Sequence, residues 1–264
     1  MRDPYGIYAK HVLKLRALEP LDADPGAAER GTFIHQALDR FVRECPAGLP
    51  QDAEARLLAH GRAVFGSALS RPGVAAFWWP RFARIARWFV RIEAERRAAL
   101  LDCRSELLGR LIVRGPAGPF ELTGKADRID RGRDGALVII DYKTGAVAKR
   151  AEIELGFAPQ LPLEAAIAVA GGFAGLAAAP VGELAYWRLT GGETAGEEKP
   201  VAIGESAVGA LAENSLAGLA ALIARFDDPA TPYRAWPRPE QAPRFTDYAH
   251  LARVKEWSVA AEAE

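Results

Sequence analysis

The sequence predicts an α/β fold in which helices flank a central β-sheet, with a strand meander at about 106–144 and helical additions at both ends. Three features carry this expectation. Apolar residues recur at helical spacing through most of the first hundred positions and again after about 205. Between them lie strand-like runs at 106–113, 119–131 and 136–144. The last two are joined by Arg131-Gly132-Arg133-Asp134-Gly135, whose Asp-Gly pair is the chemistry of a hairpin turn.

Each element can be justified in order. Tyr8, Val12 and Leu15 lie at helical spacing and predict a first amphipathic helix, ended by Glu19-Pro20 and an acidic loop over 20–29. From about Gly31 to Glu44, Ile34, Ala37, Leu38, Phe41 and Val42 share one helical face, with His35 beside that stripe. Residues 52–70 predict a further helix, and 75–100 a long one with Trp78, Phe82, Ile85, Phe89 and Ile92 inward. On the long helix Arg81, Arg84, Arg87 and Arg91 recur at three- and four-residue steps. That basic ridge is either the solvated side of the helix or a surface for phosphates.

The sheet begins at 106–113 and turns through Gly115-Pro-Ala-Gly-Pro119 into the strand carrying Asp127. After 136–144 come a loop to Phe157, an Ala-rich helix over 160–170, a strand over 183–189 and a polar loop. A helix at 205–226, a Pro-rich crossing at 229–243 with Arg234, Arg238 and Arg244, and a helix at 245–257 complete the chain. One domain is expected: a helical part over 1–100, a sheet core over 104–190 and a second helical part over 205–264.

Composition sets wide limits. At 264 residues and 50% hydrophobic content the chain can bury a full core. Thirty-four basic residues balance thirty-four acidic ones, so any contact with nucleic acid must come from a local patch. Cys45 and Cys103 are too few for a disulfide framework, which points to a reducing cytosol. No continuous apolar run approaches the roughly 20 residues of a bilayer span, so a cytoplasmic protein with no membrane partner is expected. A Walker-type nucleotide loop is excluded, because Gly118 and Gly124 are separated by five residues rather than four and Ala126 stands where Ser or Thr is required.

The most informative stretch is Gly124-Lys-Ala-Asp127-Arg-Ile-Asp130 followed by Val138-Ile-Ile-Asp141-Tyr-Lys143-Thr-Gly145. Asp127 and Asp141 are equidistant from Asp134, so a hairpin centred there makes them cross-strand neighbours with Cα atoms roughly 4.5–5.5 Å apart. Two carboxylates so placed repel unless a cation lies between them, and Mg²⁺ prefers such oxygen ligands. Lys143 shares the face of Asp141, while Tyr142 points away. A register slip of one residue would instead separate the two acids, leaving solvated turn residues.

These residues also carry a resemblance. Gly-x-x-Asp and a second strand ending Asp-x-Lys resemble the core of the PD-(D/E)xK nuclease superfamily, and Asp-Arg-Ile-Asp with Asp-Tyr-Lys-Thr-Gly resembles its RecB-like branch. Gly31-Thr-Phe-Ile-His35 is similar to that branch's Gly-x-x-x-His helix, and Pro159-Gln160-Leu-Pro-Leu-Glu164 to its Gln-x-x-x-Tyr helix. The opening Asp3-Pro-Tyr-Gly-Ile-Tyr resembles the start of the C-terminal nuclease domain of AddB proteins, subunits of bacterial AddAB helicase–nucleases.

The resemblance implies a central mixed sheet and metal-assisted phosphodiester hydrolysis. Asp127, Asp141, His35 and the backbone carbonyl of Tyr142 would hold Mg²⁺ or Mn²⁺, His35 as a neutral imidazole. Lys143 would serve the transition state and Gln160 would position the strand. Glu106 matches an acidic position of the branch and either supports the metal site or is an exposed strand glutamate. Arg84, Arg87 and Arg91 are the candidate DNA contacts.

Two departures stand out. Many AddB proteins hold an iron–sulfur cluster with four cysteines, whereas this chain has Asp3 at the first place and no cysteine after Cys103, so no such cluster is expected. Glu164 stands where the branch has Tyr. The implied role is a DNA exonuclease in double-strand break repair, acting on DNA ends and single strands beside an AddA-type helicase–nuclease subunit, the chain being a segment of a longer AddB-type subunit. The alternative is an inactive module of the same complex that binds DNA ends or docks its partner.

Overall fold

The structure is a computed structural model that describes residues 1–16, 18, 26–237, 242 and 246–256. It divides into two compact units, one of Met1–Asp24 with Leu222–Glu264 and one of Pro25–Ala221. In the first unit, α1 (Pro4–Ile7) is capped by the Asp3 carboxylate, which accepts from the Gly6 N–H at 3.1 Å, and runs on as a π-helical turn over Tyr8–Val12. The wider turn takes side chains off the 3.6-residue period. Ala9 is therefore buried while Val12 and Leu15 are exposed, contrary to the amphipathic face expected from their spacing. Tyr233 makes tilted ring contacts with Tyr8 and Phe226, with ring centroids 5.4 and 4.9 Å away. The helix expected at 245–257 is helical among the described residues only over 254–256, after turns at 247–253. Arg238 and Arg244 lie outside the described residues.

The second unit holds the sheet. Helices α2 (Ala27–Glu44), α3 (Ala53–Phe65) and α4 (Trp79–Arg96) precede β1 (Leu100–Gly115), β2 (Gly118–Gly132) and β3 (Leu137–Lys143). Then come α5 (Arg150–Glu154), α6 (Gln160–Val169), β4 (Val181–Leu189), β5 (Gly196–Ile203) and α7 (Glu205–Phe226). The five strands lie in sequence order, antiparallel except that β3 and β4 are parallel. This is the mixed sheet expected, and the β3–α6–β4 crossover is what makes it mixed.

Two boundaries differ from expectation. The meander starts at Leu100 rather than 106, because helix α4 ends at Arg96 and a single 3₁₀ turn over Arg97–Ala99 hands the chain to β1. The polar loop after 189 contains β5, an edge strand reading Glu197-Glu-Lys-Pro200, whose polarity and proline are tolerated only at a sheet edge.

Each face of the sheet has its own core. On one, the predicted stripe of α2 (Ile34, Ala37, Leu38, Phe41, Val42) and Phe82, Ile85 and Phe89 of α4 close over Ile140, Tyr142 and Trp187. On the other, Leu161 and Ile167 of α6 and Val208 and Ala212 of α7 close over Ile129, Ile139 and Leu184. Helix α7 is by length and composition apolar enough to cross a membrane, although Glu213 and Asn214 interrupt any continuous run; Val208 and Ala212 tie it to the core. Its apolarity lies in the average composition rather than in an unbroken run.

Gly61 of α3 faces the wholly buried Phe82 ring, and a β-carbon there would overlap it. Alanine would gain about 1 kcal/mol of helix propensity. Overpacking costs about 1–3 kcal/mol, and Phe82 has nowhere to move. Gly61→Ala is therefore expected to lower the Tm by a few degrees in thermal unfolding, and an unchanged or raised Tm would show that propensity wins.

Between α4 and β2 lies a buried ionic network. The wholly buried Arg128 guanidinium grips both oxygens of Asp130, at 2.5 and 3.1 Å, and contacts Glu93. The other Glu93 oxygen accepts from Arg97 at 2.6 Å, and Arg97 also donates to the Cys45 carbonyl. The Trp187 ring lies 5.1 Å from the Arg128 guanidinium. These groups sit on the face of β2 opposite Ile129, directly after Asp127.

Candidate active site

The β2–β3 ladder pairs Arg128 with Ile140 and Arg131 with Leu137, every pair centred on Asp134 as the hairpin reading requires. One step further out stand Asp127 and Asp141. On the other side, β1 and β2 pair Ser105 with Arg128 and Leu107 with Ala126, so Glu106 is the residue facing Asp127. That pair is missing from the ladder, and Glu106 has φ +54°, a left-handed conformation costing a side-chain-bearing residue roughly 1 kcal/mol or more. Glu106 and Asp127 thus stand between two paired steps of β1 and β2, and Asp141 lies just past the last pair of β2 with β3.

Asp127 is the hub. Its Oδ2 accepts from the Tyr142 backbone N–H at 2.8 Å, and its Oδ1 lies 3.4 Å from His35 Nδ1. Helix α2 brings His35 there because Gly31, one turn earlier, lets the helix press on the end of β3; a β-carbon on Gly31 would stand 3.2 Å from Thr144 Oγ1. His35, Glu106 and Asp127 each offer a ligand atom, all within 4.8 Å of one another. They line a cleft of about 500 Å³ with Lys125, Tyr142 and Lys143. Lys125 is ion-paired with Glu106.

Asp141 ends the buried strand β3 and is held from two directions. Lys143 Nζ is 2.5 Å from its Oδ2, and Gln160 Nε2 donates to its Oδ1 at 2.6 Å. The same Gln160 nitrogen reaches Glu164 Oε1 at 3.1 Å, while Gln160 Oε1 accepts from Lys143 at 3.3 Å. Both amide N–H bonds thus serve carboxylates and the amide oxygen serves the ammonium, which fixes the side chain in one orientation. Glu164, standing where the resemblance expects tyrosine, supplies the second acceptor.

The electrostatics call for a cation. Burial, and then the neighbouring Asp127 charge, push the Asp141 carboxyl above the ordinary range, with Lys143 opposing. Burial likewise pushes Glu164 up to about 8, against the Gln160 hydrogen bond and helped by Asp141 and Asp127. Its Oε2 is buried with no hydrogen-bond partner among the described residues. Glu106 is paired with Lys125 and Asp141 with Lys143, and hard oxygen donors beside an imidazole nitrogen suit a divalent ion.

The raised Glu164 pKa has a sign. Below about 4.5 the carboxyl is protonated folded or unfolded, so the folded state bears no charge-burial cost; as pH rises towards 8 the unfolded chain ionises first and stability falls. Glu164→Gln removes that charge. It should raise the metal-free Tm at pH 8 by several degrees and leave it nearly unchanged at pH 4.5, whereas an equal effect at both values would point to packing.

The structure thus brings Asp127, Asp141, His35, Tyr142, Lys143, Gln160 and Glu106 together around the C-terminal end of β3. It engages the backbone N–H of Tyr142 with Asp127. Arg84 is exposed and donates to the Gly191 carbonyl at 2.7 Å. Arg87 lies 3.5 Å from Glu54 and Arg91 2.9 Å from Glu95, both exposed on α4. Sequence reasoning missed Lys125 and the burial of Glu164. The first had a readable signal, because alternation along β2 sets Lys125 on the face of Asp127.

A model of the PD-(D/E)XK nuclease superfamily matches residues 4–239. An uncharacterised protein of Rickettsia bellii (strain RML369-C) is 30% identical over 173 residues, covering 66% of this chain and 21% of that protein. The uncharacterised protein RT0391 of Rickettsia typhi (strain ATCC VR-144 / Wilmington) is 28% identical over 179 residues, covering 66% and 20%. The match thus spans about a fifth of the length of these curated relatives. A solved structure described as the crystal structure of SSO0001 covers 81% of this chain and 84% of its own at 15% identity, with a TM-score of 0.28.

Proposed function

The chain belongs to the PD-(D/E)XK nuclease superfamily, and we propose that it is a metal-dependent deoxyribonuclease that hydrolyses phosphodiester bonds at DNA ends. The observation that carries this is that Asp141 and Lys143 at the end of β3 lie next to Asp127 in the middle of β2, with His35 and Glu106 beside Asp127. Asp127, Asp141, His35, Glu106 and the Tyr142 carbonyl would hold Mg²⁺ or Mn²⁺, which makes a water more acidic and offsets charge on the phosphoryl oxygens.

The protein's own groups do the rest. The Tyr142 N–H keeps Asp127 facing the cleft. Gln160, fixed by Glu164, aligns Asp141 and Lys143. The Lys143 ammonium then offers a preorganised positive charge where a non-bridging phosphoryl oxygen gains charge. The water oxygen bonds to phosphorus, one P–O ester bond breaks, and a phosphate monoester and a hydroxyl leave.

The resemblance of the N-terminal segment and of the four motifs to the AddB nuclease domain supports a finer reading. The chain would act as an exonuclease segment of a longer AddB-type subunit, with an AddA-type partner, in cytoplasmic processing of double-strand breaks and recombinational repair. Incubation with a 5′-labelled DNA strand, with Mg²⁺ or with a chelator, tests the activity. Shortened products with Mg²⁺ alone are expected. An intact strand that is nevertheless bound would instead support a DNA-end-binding module.

A further inference from the structure

Lys125 stands two residues before Asp127, on the same face of β2, and its ammonium is paired with Glu106. Glu106 also offers an oxygen to the cluster with His35 and Asp127. One carboxylate is therefore claimed from two sides. We propose that Glu106 is exchanged between Lys125 and the divalent cation, and that the released Lys125 ammonium takes a backbone phosphate of the DNA strand; the second half rests on the nuclease reading above.

The two partners differ in freedom. The Glu106 side chain is 17% exposed and the Lys125 side chain 55% exposed. The left-handed backbone at Glu106 interrupts the β1–β2 ladder and sets the carboxylate among the ligand atoms, so it cannot follow the lysine outward. Lysine has a flexible four-carbon stem and can turn away at little cost. A dipositive ion at the cluster attracts Glu106 with twice the charge of the ammonium and repels Lys125. Lys125 and Lys143 both line the cleft that holds Asp127, so the displaced ammonium remains within the site's own surface and adds a second positive group for a polyanionic strand.

The test is Mn²⁺ binding to the whole chain without DNA, measured by calorimetry, in native protein and Lys125→Met. An exposed ion pair contributes about 0.2–1 kcal/mol, so its removal should tighten Mn²⁺ binding up to about fivefold. In a Glu106→Gln background, where there is no carboxylate to share, Lys125→Met should tighten Mn²⁺ binding distinctly less, through relief of the ammonium–ion repulsion alone. Unchanged or weaker Mn²⁺ binding in Lys125→Met, or the same tightening in both backgrounds, overturns the exchange.

The phosphate contact is read by binding of a labelled single strand to Asp141→Asn protein with Mn²⁺. Lys125→Met should weaken that binding and reduce the slope of log K against log salt by about one. An unchanged slope overturns this half. The Mn²⁺ titration decides the exchange whether or not the native chain cuts DNA, so its failure is separable from failure of the nuclease reading.

Discussion

Asp141→Asn and Lys143→Ala are each expected to reduce strand cleavage by two or more orders of magnitude while leaving the fold intact. Asp141→Asn keeps the shape of the side chain and an amide oxygen that can still accept from Gln160, but removes the charge that pairs with Lys143 at 2.5 Å. It also removes half of the facing acid pair. Lys143→Ala removes the one ammonium in contact with both Asp141 and Gln160 among the described residues. Removing a single preorganised donor of this kind commonly costs about 3–4 kcal/mol of barrier, a factor of roughly 10²–10³. The Lys143 side chain is 34% exposed and fills no core volume, so its loss should leave the Tm within a few degrees of native. Initial rates on a labelled strand, read beside thermal unfolding, check this. Native-like rates in either variant would remove these side chains from the chemistry.

Arg128→Met is expected to lower stability by about 3–5 kcal/mol, the largest stability effect foreseen for this chain. The guanidinium is wholly buried and satisfies both oxygens of Asp130 and one of Glu93, themselves wholly buried. Methionine keeps much of the volume beneath Phe89 and Trp187 but leaves negative charge with no access to water. A 1 kcal/mol loss shifts Tm by about 2–4 °C in a domain of this size, so a fall of about 10 °C is expected. Neutralising the stranded acids in the triple variant Arg128→Met, Glu93→Gln, Asp130→Asn should recover much of it. If Arg128→Met unfolds at the native temperature, the network is not what holds α4 to the sheet.

Much of this was legible in the sequence, for identifiable reasons. Asp134-Gly135 fixes a turn, the turn fixes the register, and the register runs to Arg128 and Ile140, the residues next to Asp127 and Asp141. The inward stripes of α2 and α4 were readable because helices with one buried face keep the 3.6-residue period. Strand β5 was not, since an edge strand has no need of the apolar alternation that marks a half-buried one. The π turn at Tyr8–Val12 broke the period on which the first helix was judged. The ionic network was hidden differently. Glu93 follows Ile92 into the buried stripe of α4, but a charge there makes sense only once β2 is known to present Arg128 to the same face. Glu106 could have been placed more firmly, because a turn centred between Pro116 and Ala117 sets it opposite Asp127 by the same count that paired the two aspartates.

Anomalous diffraction from a crystal of the chain soaked in Mn²⁺ would locate the ion itself. The expected result is a manganese peak in direct contact with Asp127, shared with His35 and with a carboxylate oxygen of Glu106 or Asp141, and lost in Asp127→Asn. A soaked crystal with no manganese peak at Asp127, or with its manganese bound away from Asp127, would contradict a metal site built on these facing strands.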